Sequence, residues 1–289
     1  MASSVHELIA LQSQLMAWRQ EGLTIGFVPT MGGLHDGHCS LMRQATQRCD
    51  RLVVSIFVNP AQFAEGEDLE AYPRDAESDL ALATSAGADL VWFPKLKDIY
   101  PDGWCSTIVP SGVGLGLETE HRPHFFTGVA TVVARLFALI RPQIAVFGEK
   151  DYQQLLVVRQ LNKDLCFGVQ VLAGRLVRDR DGLALSSRNV YLSPEARADG
   201  QAVPRALAAV CAAYAQGERS VAALEAAGVA KLQAVGLELE YCRIVSAHNL
   251  SAPPDSLSGD ADEWRLVTAA RCHGIRLIDN CALDDPPWR

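Results

Sequence analysis

The segment Pro29-Thr30-Met31-Gly32-Gly33-Leu34-His35-Asp36-Gly37-His38 gathers three glycines, two imidazoles and one carboxylate within ten residues. An apolar run at 25–28 precedes it and reads as a buried parallel strand. Residues 39–45 follow and read as a helix. A strand that turns through glycines into a helix presents backbone N–H groups at the helix N-terminus, a natural seat for phosphate. Histidines three residues apart on such a turn reach toward the same side. The chemistry on offer is anion binding. No Gly-Lys-Ser/Thr follows, so the segment is not a Walker loop, and its glycine spacing is not that of the dinucleotide fingerprint. A zinc pair is disfavoured, because no third cluster of Cys or His lies nearby at a usual spacing. Taken alone, a tight turn with surface histidines explains the residues equally well.

Three further groups are candidates. Asn59 and Gln62, at the end of an apolar strand, offer amide donors and acceptors suited to hydroxyl and carboxylate groups. The stretch Phe147-Gly148-Glu149-Lys150-Asp151-Tyr152-Gln153-Gln154 ends another strand and opens a helix. Lys150 there can reach phosphate oxygens as a point charge. Asp151 is placed as an N-cap, and Gln154 lies one turn on. Residues 178–189, which include Ser186, Ser187 and Arg188, set two hydroxyls beside a guanidinium, a plausible triphosphate clamp. A charged interdomain linker is the plainer account of that stretch. Its place at the junction of two halves favours a ligand role, since sites often form at domain junctions.

The elements that must position these groups alternate along the chain. Strands are expected at 23–28, 52–58, 89–93, 144–148 and 169–177. Helices are expected at 38–49, 74–86, 127–140 and 151–164. Ser4-Val5-His6-Glu7 has the form of a capping box before a further N-terminal helix, and 95–125 reads as irregular. Continuous apolar strands alternating with helices predict an α/β fold, a parallel sheet covered on both faces. In such sheets ligands sit at the carboxyl ends of the strands, where the candidates fall. From about residue 180 the composition changes. Residues 194–235 are alanine-rich and helical, and strands are expected at 237–247, 264–271 and 274–279. This predicts a smaller α+β domain at 178–289, after a first domain at 1–177.

Composition narrows the classes of function. The chain has 289 residues, 49% of them hydrophobic, and a formal net charge of -8. An acidic balance gives no basic footprint for nucleic acid. No apolar run reaches membrane-spanning length, and the N-terminus lacks the pattern of a secretory signal. Eight scattered cysteines without a Cys-x-x-Cys read as reduced thiols of a cytoplasmic protein.

The His35-Asp36-Gly37-His38 run resembles the His-x-Gly-His signature of nucleotidyl-transferring enzymes. The series PTMGGLHDGH, FVNPAQF, AYPRD, FGEKDYQQL and DGLALSSRN, in that order and at those spacings, resembles the pantothenate synthetase (pantoate–β-alanine ligase) family over residues 23–193. The resemblance implies a Rossmann-like nucleotidylyltransferase domain, a smaller C-terminal lid and a cytoplasmic homodimer. It implies an AMP-forming ligase of pantothenate biosynthesis, on the route to coenzyme A. Pantoate and β-alanine are joined through a pantoyl adenylate, with ATP and Mg2+. Carried over by motif, Met31, Gly32, Gly33, Leu34, His35, Asp36, Gly37 and His38 line the ATP site. Gly148, Glu149, Lys150, Asp151, Val177, Leu185, Ser186, Ser187 and Arg188 do so as well. His38, His35, Lys150 and Arg188 are the expected catalytic groups, with His38 as proton donor. Asn59, Gln62 and Gln154 are the expected substrate ligands, and Asp79 is the one plausible match for a metal ligand. One departure stands out. The family's Arg-Pro-Gly-His-Phe reads Arg122-Pro123-His124-Phe125-Phe126, which puts Phe125 in the histidine's place. Two explanations compete: His124 is swung into the vacant position by the altered loop, or Phe125 packs against the cleft wall as an apolar residue and the family histidine is dispensable; the second is the expectation. Competing readings are an adenylyltransferase with a phosphate acceptor, which would favour Arg or Lys at 59, 62 and 154, and a catalytically silent scaffold.

Overall fold

The structure, a computed structural model, describes residues 2–288. The chain forms two compact units, one of residues 1–149 with 153–175 and one of 150–152 with 176–289. The division falls two residues before the expected 177/178 boundary. It also assigns the short segment 150–152 to the second unit.

The first unit is built on six strands: β1 (Ser3–Val5), β2 (Ile25–Thr30), β3 (Arg51–Ile56), β4 (Leu90–Trp92), β5 (Ile144–Gly148) and β6 (Gln170–Gly174). Their order across the sheet is β1-β4-β3-β2-β5-β6, and every neighbouring pair is parallel. Around them lie α1 (Leu8–Gln20), α2 (Asp36–Thr46), α3 (Ala76–Ser85), α4 (Leu96–Ile99), α5 (Glu118–His121), α6 (Phe125–Ile140) and α7 (Tyr152–Asp164). The expected irregular stretch 95–125 thus contains two short helices.

Side chains alternate across each strand, and both faces are apolar. Val28, Val54, Val91 and Val146 meet Cys39 and Met42 of α2 on one face. Phe27 meets Phe137 of α6 edge-on, with ring centroids 6.5 Å apart. Burying each such side chain stabilises the fold by roughly 1.5–3 kcal/mol. The strand order reverses at β2, which pairs with β3 on one side and β5 on the other. Such a switch point opens a crevice at the carboxyl ends of the strands. The segments 31–38 and 148–149 leave from those ends of β2 and β5.

The N-terminal capping box does not form. Ser3–Val5 instead extends the sheet as an edge strand beside β4. Glu7 flanks α1 without capping it through its side chain, and its carboxylate pairs with Lys95.

The second unit holds α8 (Pro194–Gly200), α9 (Ala202–Ala215), α10 (Val221–Gln233) and an antiparallel sheet of β7 (Glu238–Ser246), β8 (Trp264–Cys272) and β9 (Ile275–Ala282). Leu207, Val210, Leu224 and Leu232 pack with Ile244, Leu266 and Leu277 in its core. β9 runs three residues beyond the expected 279, because residues 279–282 pair in register with β8. Among the described residues, no helix is long and apolar enough to cross a membrane.

Candidate active site

In the first unit the turn after β2 is held from beneath. Gly32 and Gly33 adopt φ of +91° and +60°, a region that favours glycine. A Cβ on Gly32 would lie 2.9 Å from Asp79 Oδ2. The Asp79 carboxylate, only 3% exposed, accepts the N–H of Gly33 (3.1 Å) and of Leu34 (2.7 Å). Burial pushes its pKa up, against the pull of those two N–H donors. Asp79 is therefore the anchor of the glycine turn.

The turn delivers His35 as the N-cap of α2. Its Nδ1 accepts the N–H of Gly37 at 3.1 Å, and Nδ1 of His38 accepts the N–H of His35 at 3.3 Å. This is a capping box built from two imidazoles. The helix begins at Asp36, two residues earlier than expected, because His35 supplies the cap. The rings lie 4.1 Å apart between centroids. With each Nδ1 accepting, a neutral imidazole carries its proton on Nε2. Two N–H donors thus stand beside a helix N-terminus, whose partial positive charge favours an anion. Met31, Gly33, His35, Gly37 and His38 are half-buried and Asp36 is exposed.

After β3, Asn59 caps the 3-10 turn Pro60–Gln62 by accepting the N–H of Ala61. Its amide donates to Gln62 Oε1 (3.1 Å) and to the Gly128 carbonyl (3.2 Å). Gln62 Nε2 in turn contacts Met31 Sδ at 3.0 Å. The expected residues Met31, Asn59 and Gln62 therefore form one connected set. Gln154 is half-buried on α7. Its neighbour Gln153 pins the 113–118 loop, donating to the carbonyls of Val113, Leu115 and Gly116 and accepting from Glu118 N–H.

Two contributors escaped sequence reasoning. The Tyr100 hydroxyl donates to Asn59 Oδ1 at 2.8 Å. Burial pushes its pKa up to about 12, so it remains a donor throughout the working pH range. No local pattern ties Tyr100 to a residue 41 positions away. Gly128 lets α6 lie directly on the 3-10 turn, since a Cβ there would sit 2.3 Å from the Ala61 carbonyl oxygen. A glycine inside a helical pattern is the signal that could have found it.

Phe125 is buried. Its ring lies 5.0 Å from that of Phe126, and the Arg122 guanidinium stacks over it at 4.0 Å. His124 Nε2 is buried without a hydrogen-bond partner. Phe125 thus occupies an apolar, cation-capped seat. His124→Ala is expected to change kcat/KM by less than about ten-fold in steady-state kinetics. A larger loss (about 1.4 kcal/mol or more of transition-state stabilisation) with the fold intact would contradict this.

In the second unit, Leu185 N–H donates to the Val177 carbonyl at 2.9 Å, closing the 177–185 turn. Ser186 caps the 3-10 turn Ser187–Tyr191 by accepting the Arg188 N–H. Asn189 donates to the Ala184 carbonyl. Arg178 makes a bidentate pair with Asp279 at 2.6 and 2.8 Å, and Arg197 holds Asp179 and Asp181. Ser186, Ser187 and Arg188 thereby sit half-buried on a braced loop. Lys150 and Asp151, also half-buried, close the 3-10 turn Glu149–Asp151 that leads into α7.

Among the described residues there is no group of three or more His, Cys, Asp or Glu that could hold a metal. Both oxygens of Asp79, the expected ligand, are engaged by backbone N–H groups.

The pantoate-β-alanine ligase family model matches residues 3–282. The pantothenate synthetase of Thioalkalivibrio sulfidiphilus is 48% identical over 98% of this chain and 99% of its own length. That of a Bradyrhizobium species is 49% identical over 96% of each. The crystal structure of the pantothenate synthetase from Thermus thermophilus superposes with a TM-score of 0.91 at 44% identity, covering 99% of this chain and 100% of that one. A Francisella tularensis pantoate-β-alanine ligase, complexed with β-γ ATP and β-alanine, gives 0.80 at 30% identity over 99% of this chain and 100% of that one. The histidine-capped turn and the amide set after β3 therefore stand in a chain that belongs to the pantoate-β-alanine ligase family.

Proposed function

We propose that this chain condenses (R)-pantoate with β-alanine and cleaves ATP to AMP and pyrophosphate, through a pantoyl adenylate. A pantoate carboxylate oxygen attacks the α-phosphorus, and the bond from that phosphorus to the α–β bridging oxygen of ATP breaks, that oxygen leaving with pyrophosphate. The β-alanine amine then attacks the acyl carbon, loses a proton, and AMP leaves with the former carboxylate oxygen. The observation that carries this reading is the pair of imidazoles whose Nδ1 atoms cap α2, an arrangement in which a neutral ring has its N–H at Nε2. Adenylyl transfer needs charge stabilised on phosphate oxygens, and oriented N–H donors supply that without reorganisation.

In this reading His38 donates to the oxygens of the departing pyrophosphate and His35 stands beside it. Lys150, Arg188, Ser186 and Ser187 are assigned to the phosphates as well. The backbone of Met31 to His38 and of Gly148 to Asp151, with Val177 and Leu185, lines the nucleotide. Gln62 and Gln154 are assigned to pantoate, and Asn59 to the place where β-alanine arrives. Amide side chains suit hydroxyl and carboxylate groups, whereas a phosphate acceptor would call for Arg or Lys. Mg2+ is taken to arrive with ATP on phosphate and water oxygens, as that small ion prefers. A cytoplasmic homodimer is part of the same proposal, and light scattering on the purified protein tests the dimer.

The products decide the reaction class. AMP, pyrophosphate and pantothenate are expected from MgATP, (R)-pantoate and β-alanine. ADP and phosphate would rule out the adenylate route. The glutamine assignment has its own test. Gln62→Glu and Gln154→Glu set a carboxylate against the substrate's, so KM for pantoate is expected to rise strongly while ATP binding changes little. Equal weakening of both ligands would show the glutamines to be misassigned.

A further inference from the structure

The backbone of Lys150 is tied to the sheet of its own unit. The Asn280 side-chain amide, on β9 and 4% exposed, donates from Nδ2 to the Lys150 carbonyl at 2.9 Å. The direction of that amide is fixed by its other end. Asn280 Oδ1 accepts from Nε (2.8 Å) and Nη2 (2.6 Å) of Arg265 on β8. A guanidinium only donates, so the oxygen must face it and the NH2 must face Lys150. The same Arg265 lies over the Tyr152 ring, 4.1 Å from its centroid. The Tyr152 hydroxyl donates to the Ala247 carbonyl at 2.7 Å. Residues 150–152 are thus held at both ends by groups drawn from β8, β9 and the turn after β7. This explains why they group with the second unit while residues 149 and 153 do not.

We propose that Asn280, with its orientation set by Arg265, is a positioning residue that fixes the backbone from which Lys150 extends its ammonium toward the nucleotide phosphates. The proposal rests on Lys150 as a phosphate ligand. A flexible four-carbon stem on an untethered loop would sample many positions. Fixing its root confines the charge, and a small misplacement of a phosphate-binding group costs much rate.

Asn280→Asp is the informative change. It keeps both contacts from Arg265 but has no N–H to give the Lys150 carbonyl, and it sets a carboxylate oxygen against that carbonyl. Pantoate-dependent exchange of labelled pyrophosphate into ATP is expected to slow by about ten-fold, with the thermal unfolding midpoint little changed. In a Lys150→Ala background the same substitution is expected to change the exchange rate by less than about two-fold, since the group being positioned is gone. An unchanged rate in the otherwise native enzyme would overturn the proposal. So would an equal fall with and without Lys150, which is the mark of a general structural role. Should Asn280→Asp fail to fold, Tyr152→Phe removes the hydroxyl that tethers residue 152 to the Ala247 carbonyl, and the same pair of backgrounds decides by the same criteria. A Lys150→Ala enzyme that exchanges at the native rate would strike the assignment of Lys150 itself. An impaired Lys150→Ala with an unaffected Asn280→Asp would strike only the positioning.

Discussion

Replacing His38 by alanine is expected to lower kcat by about 100-fold or more, the scale of losing one oriented donor to a developing anion. Two tasks meet in this side chain. Its Nδ1 accepts the His35 N–H and completes the cap of α2, and its Nε2–H is the donor assigned to the departing pyrophosphate. Alanine removes both. The tasks separate in His38→Gln, because a glutamine at the third helical position can accept from the N-cap N–H as a capping box does. That variant is expected to regain the native unfolding midpoint while recovering only part of the activity. Circular dichroism and steady-state kinetics on the two variants read the two effects. Near-native turnover in His38→Ala would remove the imidazole from the chemistry.

The largest stability effect is expected at Asp279. Its carboxylate, buried on β9, holds Arg178 in a bidentate pair, and Arg178 Nη1 also donates to the Gly182 carbonyl. Burial pushes the carboxyl upward, and the guanidinium opposes that shift. Removing one partner of a buried pair leaves the other charge uncompensated, which typically costs about 3–5 kcal/mol. Asp279→Ala is therefore expected to destabilise the second unit on that scale in denaturant unfolding. The paired replacement Arg178→Met with Asp279→Leu is expected to lose much less, because no charge is stranded. A loss below about 1 kcal/mol for Asp279→Ala would show that the pair is already well solvated. The pair also ties β9 to the loop that carries Ser186 to Arg188, so activity should fall along with stability.

The parallel sheet was readable because its signal is local. Residues 52–54 are apolar without interruption and come out fully buried between helices, as a strand covered on both faces must be. The turn at 29–38 was readable for the same reason, since its glycines, its cap and its helix lie within one short window. Ser4 to Glu7 misled because a local capping pattern competed with a distant strand. Leu90 to Trp92 lies far along the chain and wins by pairing. Asp79 was legible only through the resemblance, as the plausible match for a metal ligand, and only the fold shows that the Gly33 and Leu34 N–H groups face its carboxylate. Tyr100 and Asn280 were invisible because each acts through one hydrogen bond to a residue far away in sequence. Spacing carries no trace of such a contact.

The central claim is that pantoate is activated as an adenylate before the amine arrives. Its most direct test is isotope exchange between labelled pyrophosphate and ATP, run with (R)-pantoate and Mg2+ and without β-alanine. Exchange is expected to require pantoate and to fall by about 100-fold or more in His38→Ala. No exchange until β-alanine is added, in an enzyme that makes pantothenate when all substrates are present, would contradict it.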